Sequence, residues 1–257
     1  MQVTIHKNEE LIRPISENLS KNRYKSHIDQ IVNEVLREYP TYFWGGAVRD
    51  PLVKAKYGRN GETRDFDILV DDSQGKIDFK KLLKEFKDVF YTRLGSPKWR
   101  PQEGLEIDIV PFSSATNLRN GEKLPISLKT ALQSCDFTTS AIAYDLKQKV
   151  LYSYGALEGI EKEEIDLLYS KGDETHILMC RALILAERLK FRKGPGIIKF
   201  ITEKYTPSLD NHIKIYMEYK KLESKSDQII EELRNIQANQ TSKLETKIIP
   251  NFTLIYP

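Results

Sequence analysis

Two pairs of acidic residues have the spacing of one face of a β-strand. Asp65 and Asp67 are two apart in RDFDILV, and Glu106 and Asp108 are two apart in LEIDIV. Side chains at positions i and i+2 of a strand leave the same face, where like charges repel and a divalent cation relieves the repulsion. Asp-x-Asp alone is more typical of a solvent-facing stripe of alternating acids. Together they predict carboxylates that hold two metal ions about 4 Å apart, the arrangement used for in-line attack on phosphorus.

A glycine pair followed by an arginine precedes the first acidic strand. YFWGGAVRD runs from an apolar strand into Gly45 and Gly46, and Arg49 and Asp50 follow. Glycine lets backbone amides approach a polyphosphate closely, and a helix that begins after the turn offers its positive end. Arg49 can then contact phosphate oxygens, while Asp50 caps the helix or holds Arg49. A glycine pair by itself is more often only a turn, but beside two acidic pairs it predicts a phosphate-binding turn.

The elements predicted around these residues alternate between strands and helices. A helix with apolar residues on one face precedes the strand YFW, and the helix GGAVRDPLVKAKYG, the strand FDILV, the helix KIDFKKLLKEFKDV and the strand LEIDIVPF follow. A helix and a pair of strands are predicted in FTTSAIAYDLKQKVLYSY, and helices from Lys171 onward. This order predicts an α+β protein with a mixed sheet. We assign residues 1–27 to an N-terminal extension, 28–170 to a head domain and 171–257 to a helical, neck-like domain.

The composition is that of an ordinary soluble globular protein. Of the 257 residues, 40% are hydrophobic and 30% are charged, and the net charge of +3 is too small to indicate nucleic-acid binding by itself. No run of about 18 apolar residues and no signal-peptide pattern is present, so we expect no membrane association. Cys135 and Cys180 lie in apolar contexts without metal-ligand spacing, which is typical of reduced thiols in a cytoplasmic protein.

The two tryptophans receive different interpretations. Trp44 belongs to the apolar run before the glycine turn, so we expect it to pack beneath that turn. Trp99 lies between Lys98 and Arg100 in GSPKWRP, which reads as a loop. An aromatic residue between two cations can stack on the bases of a nucleic acid, and we keep this as a minority interpretation of Trp99.

Four segments, in this order along the chain, resemble a known family. GGAVRD, RDFDILV, IDIVPF and DFTTSAIAYD are similar to the head domain of class II CCA-adding enzymes and bacterial poly(A) polymerases, members of the DNA polymerase β-like nucleotidyltransferase superfamily. The family pattern has a glycine pair followed by Val-Arg-Asp, then Asp-x-Asp on a strand, then an acidic residue on a later strand, matched by Asp108. An Asp-Phe-Thr segment follows. The resemblance covers roughly residues 28–191.

The resemblance implies a fold, a reaction and metal ligands. The fold is a polymerase β-like nucleotidyltransferase head followed by a small all-α domain. The reaction is the transfer of a nucleoside monophosphate from a nucleoside triphosphate, with two Mg²⁺ ions. Asp65, Asp67 and Asp108 would bind the metals, and Asp108 would also help to activate the attacking hydroxyl.

The same resemblance implies a nucleotide site and an acceptor. Gly45, Gly46 and Arg49 would hold the triphosphate, and Asp136, the acid of the Asp-Phe-Thr segment, would lie near the sugar. Arg181 matches the last arginine of the family helix that reads Glu-Asp-x-x-Arg-x-x-Arg, so we include it among the nucleotide-binding residues. The implied acceptor is an RNA 3′ end, with tRNA as the leading candidate.

Some positions depart from the family pattern. Ser134 and Cys135 replace the paired arginines before Asp-Phe-Thr, and Ser140–Ala141 replaces Asn-Ala. Thr175 and Leu178 stand where the family has the Asp and Arg that read the incoming base, and leucine cannot donate a hydrogen bond to a base edge. The C-terminal part is also short for the domains that grip a tRNA. Ordered selection of C and then A is therefore not expected from these residues.

Three functions remain open at this point. The first is nucleotidyl transfer to an RNA 3′ end. The second is the same chemistry on a small molecule or a protein, as in a toxin-like transferase. The third is a nucleotide-binding or RNA-binding module without catalysis, against which the three intact acids argue because converging carboxylates are costly to keep.

Overall fold

Ten strands are present in the described part of the computed structural model. The structure describes residues 1–59, 65–92, 95–117, 124–170 and 174–247, except for the side chains of 116–117 and 240–247. The strands are β1 (Thr4–His6), β2 (Thr41–Trp44), β3 (Asp65–Val70), β4 (Val89–Tyr91), β5 (Pro97–Trp99), β6 (Glu106–Pro111), β7 (Ile142–Asp145), β8 (Val150–Ser153), β9 (Glu164–Ile165) and β10 (Arg192–Lys193).

Eight of these strands form one mixed sheet in the order β1-β8-β7-β2-β3-β6-β5-β4. Strands β3 and β6 pair in parallel, whereas the other neighbouring strands of this sheet pair antiparallel. Strands β9 and β10 form a separate parallel pair. The mixed sheet that the sequence predicted is therefore confirmed, with β4 and β5 added at one edge.

Helices cover the sheet and form the C-terminal part. They are α1 (Glu9–Lys21), α2 (Lys25–Asp29), α3 (Gly46–Tyr57), α4 (Phe79–Leu82), α5 (Phe112–Asn117), α6 (Leu128–Gln133), α7 (Ala156–Glu161), α8 (Thr175–Leu189), α9 (Pro195–Lys204), α10 (Asp210–Tyr219) and α11 (Ser226–Lys247). Helix α2 continues as a π-helix over Gln30–Val35. A 3₁₀ turn at Thr138–Ser140 stands where the sequence predicted the helix before β7.

The N-terminal residues belong to the packed structure of the head. Strand β1 pairs with β8, and α1 packs against α3. Helix α1 begins after Asn8, whose side chain accepts a hydrogen bond from the amide of Glu10, and its apolar stripe buries Ile12, Ile15 and Leu19. The division into an extension, a head and a neck-like domain stays a prediction. Its proposed extension nevertheless supplies an edge strand of the sheet.

The helix predicted over KIDFKKLLKEFKDV is wrong in length. Only Phe79–Leu82 is helical, with Asp78 capping it through a hydrogen bond from the amide of Lys81. The apolar residues that suggested a longer helix still pack on the core, although the chain turns after Leu83. Asp88 adopts a left-handed backbone conformation (φ 58°) just before β4 begins. The periodic apolar pattern therefore reflects the burial of these residues and not a continuous helix.

The C-terminal helices share one apolar core. Helix α8 buries Met179 and Leu183 on one side, and α10 buries Ile213 and Met217. Both α9 and α10 pack against α11, and α10 also contacts α8. The tail at residues 248–257 of the predicted helical domain lies outside the described residues. Within the part of the chain that the structure describes, no helix combines the length and apolar character needed to cross a membrane.

Candidate active site

The two acidic pairs lie side by side on adjacent parallel strands. Asp65 of β3 is in register with Glu106 of β6, and Asp67 is in register with Asp108. The residues between them point to the other face, where Phe66, Ile68, Ile107 and Ile109 are buried. Apolar residues must face the core, so this alternation forces all four carboxylates onto one face of the sheet. The convergence predicted from the sequence is thus present.

The environment of Asp65, Asp67 and Asp108 favours their neutral forms, whereas Lys98 and Arg100 outweigh burial and lower the pKa of Glu106. Burial, together with the charges of Asp108 and Asp65, raises the pKa of Asp67 to about 7. Burial also raises the pKa of Asp65 and of Asp108, with further contributions from Glu106. Among the described residues, the Oδ1 atom of Asp108 is buried and has no hydrogen-bond partner. The cluster thus combines repelling carboxylates with an oxygen in need of a ligand.

Lys98 on β5 is a member of the site that the sequence did not identify. It is in register with Asp108, and its ammonium group lies 3.0 Å from the Oδ2 atom of Asp108 and also contacts Glu106. Burial lowers the pKa of Lys98, but hydrogen bonds to both acids outweigh that effect and raise it. Arg100 forms a second ion pair with Glu106, at 2.7 Å. The available signal was an arginine two residues after Lys98, just beyond the end of β5, since that spacing in extended chain places both on the acidic face.

The stacking interpretation of Trp99 is wrong. Its side chain is buried on the opposite face of β5, where its indole N–H donates to the backbone oxygen of Lys87. The ring lies 4.9 Å from that of Phe86 and 5.7 Å from that of His27. Trp99 is therefore a core residue, and its two cationic neighbours face the site instead.

The glycine turn connects β2 to α3 beside the acids. Gly45 has φ +58°, a conformation that residues with a side chain rarely adopt, and a Cβ atom there would point towards the Asp67 carboxylate at 3.8 Å. Helix α3 begins at Gly46 and ends at the left-handed Gly58, as the sequence predicted. Both Gly45 and Gly46 line the same cavity as the carboxylates. The start of α3 is thus positioned to receive an anion.

Arg49 is held firmly below this turn. Its side chain is 4% exposed, and its guanidinium group contacts Asp50 at 2.7 Å and donates a hydrogen bond to the hydroxyl of Ser140 at 3.1 Å. Arg188 of α8 approaches the same Asp50 carboxylate at 3.4 Å. Of the two roles predicted for Asp50, the structure shows the second, in which it holds Arg49. Ser140, which departs from the family pattern, therefore helps to hold Arg49 in place.

Asp136 and Arg181 form the far wall of the cavity. The Arg181 guanidinium lies 2.7 Å from the Asp136 carboxylate, and both residues line the cavity with the acids and the glycine turn. Cys135, the neighbour of Asp136, is buried and accepts a hydrogen bond from the indole N–H of Trp44 at 3.2 Å. Burial raises the pKa of the Cys135 thiol, so it is a structural thiol. Trp44 is half-buried and lines the cavity itself, so the prediction that it packs beneath the glycine turn is wrong.

The residues of helix α8 that line the cavity are not the ones expected from the family's base-reading motif. Its cavity-lining residues are Arg181, Ile184, Leu185 and Arg188, which recur at helical spacing. Leu178 is 1% exposed in the core and does not line the cavity. The position that carries the base-reading arginine in the family is thus occupied by a core residue here.

Helix α10 completes the cavity from the C-terminal side. Tyr216 and Lys220 belong to its lining, and the cavity measures about 770 Å³. Its described lining has an acidic wall on β3 and β6 and a basic wall that comprises Arg49, Arg181, Arg188 and Lys220. Cations on one side and acids on the other suit a ligand that is itself anionic and binds metal ions.

Sequence and structure comparisons identify relatives of the chain. No protein-family model matches it. A CCA-adding enzyme from Bacillus licheniformis is 26% identical over 178 residues, which cover 64% of this chain and 41% of that enzyme. A CCA-adding enzyme solved with CTP superposes with a TM-score of 0.61 at 20% identity, over 90% of this chain and 55% of the other.

A second solved structure agrees with the first. The CCA-adding enzyme of Thermotoga maritima, complexed with tRNA, has a TM-score of 0.58 at 18% identity and covers 91% of this chain and 55% of its own. The chain spans about half the length of the relatives it matches. The chain is therefore similar in sequence to a CCA-adding enzyme, and it shares the fold of CCA-adding enzymes and of a tRNA nucleotidyltransferase.

Proposed function

We propose that this protein is a Mg²⁺-dependent nucleotidyltransferase that transfers a nucleoside monophosphate from a nucleoside triphosphate to the 3′-terminal hydroxyl of an RNA, with tRNA as the leading acceptor. The observation that carries the proposal is the pairing of Asp65 with Glu106 and of Asp67 with Asp108, beside a glycine turn that begins a helix. The relatives supply the acceptor class, since they include enzymes solved with CTP and with tRNA.

The donor set of the acidic rows fits divalent cations. Carboxylate oxygens are the ligands that Mg²⁺ prefers, and the partnerless Oδ1 atom of Asp108 is an oxygen that an ion would satisfy. Within the described ranges, no three acidic, histidine or cysteine side chains already form a finished metal site, and the Lys98 ammonium contacts two of the four acids. Asp65, Asp67 and Asp108 would hold two ions after Lys98 moves away. The ions would polarise the phosphate and the attacking hydroxyl.

The protein's own residues would orient the substrates. The Gly45 amide donates to the backbone oxygen of Ile142, so the Gly46 amide at the start of α3 and the basic wall would bind the triphosphate. Asp136 would lie near the ribose. The acceptor oxygen forms a bond to the α-phosphorus, the bond to the bridging oxygen breaks, and pyrophosphate leaves with that bonding pair. Asp108, whose pKa is raised by burial, would accept the proton of the acceptor hydroxyl.

Base selection is expected to be weak. Leu178 is in the core, and the cavity-facing side of α8 between Arg181 and Arg188 is apolar, with Ile184 and Leu185. Apolar side chains do not read the hydrogen-bonding edge of a base, so discrimination between nucleotides should rest on shape.

Transfer of label from a nucleoside triphosphate tests the proposal. The purified protein is incubated with Mg²⁺ and each α-³²P-labelled triphosphate in turn, with and without total tRNA. Label that enters tRNA, and that is absent with Asp67→Ala, is the expected result. Label on the protein itself or on a small acceptor would instead support the second function. Absence of all labelling, with nucleotide binding unaffected by Asp67→Ala, would support the non-catalytic module.

Lys98 should compete with metal ions. Lys98→Met removes the ammonium group but keeps most of the aliphatic stem, so a cation at Asp108 no longer has to displace a positive charge. We expect Mn²⁺ to bind the nucleotide-free variant roughly tenfold more tightly than the wild type in isothermal titration calorimetry. Lys214→Met is the control, since Lys214 forms an exposed ion pair with Asp227. Equal or weaker Mn²⁺ affinity in Lys98→Met would show that Lys98 does not compete with the ion.

A further inference from the structure

A second cavity, of about 520 Å³, adjoins the carboxylate rows. Asp65 and Glu106 line both this cavity and the larger one. Phe90, Arg100 and Glu103 belong to the second cavity alone, so it opens towards β4 and β5. The glycine turn follows β2, which lies on the opposite side of β3 and β6 in the strand order. The two cavities therefore approach the acids from opposite directions.

Strand register puts an exposed aromatic ring in line with the acids. The paired residues are Trp44 with Asp67, Asp67 with Asp108, Asp108 with Lys98, and Lys98 with Phe90. Residues in register on neighbouring strands share one face of a sheet, and strands lie about 4.8 Å apart. Phe90 is two strands from Asp108, hence about 10 Å away. A short piece of single-stranded nucleic acid spans that distance.

The Phe90 ring is exposed and available for stacking, unlike a core residue. Its side chain is 51% exposed and stands on the edge strand β4. The Arg100 guanidinium lies 5.3 Å from the ring centroid and is itself paired with Glu106. The adjacent Tyr91 is different, because its hydroxyl donates to the backbone oxygen of Phe79. Leaving a phenyl ring in water loses hydrophobic stabilisation, so a ligand that covers the ring would recover it.

We propose that the second cavity, here called the acceptor groove (Asp65, Asp88, Phe90, Arg100, Gln102, Glu103, Gly104, Leu105 and Glu106), binds the 3′-terminal nucleotides of a single-stranded RNA. A base stacks on Phe90, and the terminal hydroxyl is thereby aimed at Asp108. The inference rests on the proposed nucleotidyl transfer. It follows from the in-line geometry of that reaction, in which the attacking oxygen approaches from the side opposite to the leaving pyrophosphate. The glycine turn and the basic wall occupy the pyrophosphate side.

The charges of the groove favour a base over a phosphate-rich duplex. Arg100 is the one cationic side chain in its described lining, whereas four acids line it: Asp65, Asp88, Glu103 and Glu106. Carboxylates accept hydrogen bonds from the exocyclic amino groups of bases, whereas they repel phosphates. Stacking should therefore supply most of the affinity at this groove, and salt should weaken its contribution only slightly.

Removal of the ring tests the groove directly. Binding of a short, 5′-fluorescein-labelled single-stranded RNA is measured by fluorescence anisotropy for the wild type, Phe90→Ala, Phe90→Trp and Tyr91→Ala. We expect Phe90→Ala to weaken binding roughly tenfold, the loss of one base stack, and Phe90→Trp to retain it. Tyr91→Ala is the matched control on the same strand and should bind as the wild type. In steady-state assays, Phe90→Ala should raise the KM for RNA and leave the KM for the nucleotide unchanged.

Photocrosslinking locates the RNA independently of activity. An RNA with 4-thiouridine at its 3′ end should crosslink to the peptide that contains Phe90. Equal RNA affinity of Phe90→Ala and the wild type, or crosslinks confined to other peptides, would overturn the acceptor groove even if the wild type transfers nucleotides. If the wild type transfers nucleotides to no RNA, but Phe90→Ala still binds RNA more weakly than the wild type, the proposed function is rejected and the groove is supported. An enzyme that labels only a small cationic acceptor, without binding RNA, would reject both.

Discussion

Replacing Asp67 with Asn is expected to abolish nucleotidyl transfer and, at the same time, to make the metal-free protein more stable at pH 8. The loss of activity should be about a thousandfold or more, because the variant removes a carboxylate from the metal-binding row. The gain in stability has a separate cause, which is the cost of keeping the buried Asp67 ionised next to Asp108 and Asp65. The two effects move in opposite directions, so a general loss of folding cannot explain both.

The sign of the pH dependence follows from the direction of the shift. The pKa of Asp67 is raised to about 7 in the folded protein, whereas an aspartate in an unfolded chain titrates near 3.9. Below about pH 4 both states carry the protonated acid, and Asp67 has no effect on stability. As the pH rises from about 4 to 7 the unfolded state releases its proton first, so folding becomes less favourable. The penalty is complete above pH 7, where it reaches about 4 kcal/mol.

Chemical denaturation in the presence of EDTA measures this difference. The free energy of unfolding of Asp67→Asn should exceed that of the wild type at pH 8, and the two should converge as the pH falls towards 4. Asp227→Asn is a suitable control, since the Asp227 side chain is 88% exposed and pairs with Lys214 at the surface. If Asp67→Asn were less stable than the wild type at pH 8, the Asp67 carboxylate would stabilise the fold. The inference that the ionised acidic cluster destabilises the metal-free protein would then be wrong.

Local patterns predicted the central part of the site. The alternation of acids with Phe66, Ile68, Ile107 and Ile109 fixes which face of β3 and β6 the carboxylates occupy, and this follows from sequence spacing alone. The glycine turn and the helix that ends at Gly58 are also local features. The mixed sheet and the family resemblance were predicted for the same reason, because short-range chemistry determines each of these segments.

Contacts between elements far apart in the sequence bring in the site residues that the sequence alone did not identify. Strand β5 has three residues, too few for alternation to be recognised, so the sequence predicted a loop around Trp99 and did not identify Lys98 as a site residue. Lys98 lies beside Asp108 only because β5 pairs antiparallel with β6. Lys220 and Arg188 reach the cavity through the packing of α10 against α8, which no local pattern encodes. The chemistry was therefore visible in the sequence, while the residues that tune it were not.

Arg49 is the second position at which a large effect is expected. The Arg49 side chain is 4% exposed and Asp50 is 13% exposed, so their contact at 2.7 Å is largely shielded from water. Arg49→Ala would leave the Asp50 carboxylate with the more distant Arg188, at 3.4 Å, and would free the hydroxyl of Ser140. Removal of one partner of a buried ion pair costs about 3–5 kcal/mol. We expect the variant to lose that amount in chemical denaturation.

The double variant separates the structural role of Arg49 from its role in binding the triphosphate. Arg49→Ala/Asp50→Ala removes both charges, so its stability should be closer to the wild type than the sum of the single variants predicts. Its affinity for nucleoside triphosphate, measured by calorimetry with Ca²⁺ in place of Mg²⁺, should stay as low as that of Arg49→Ala, since the guanidinium group is absent in both. Recovery of both stability and nucleotide affinity would mean that Arg49 only supports the turn. The phosphate would then depend on the Gly46 amide at the start of α3 and on the cations at α8 and α10.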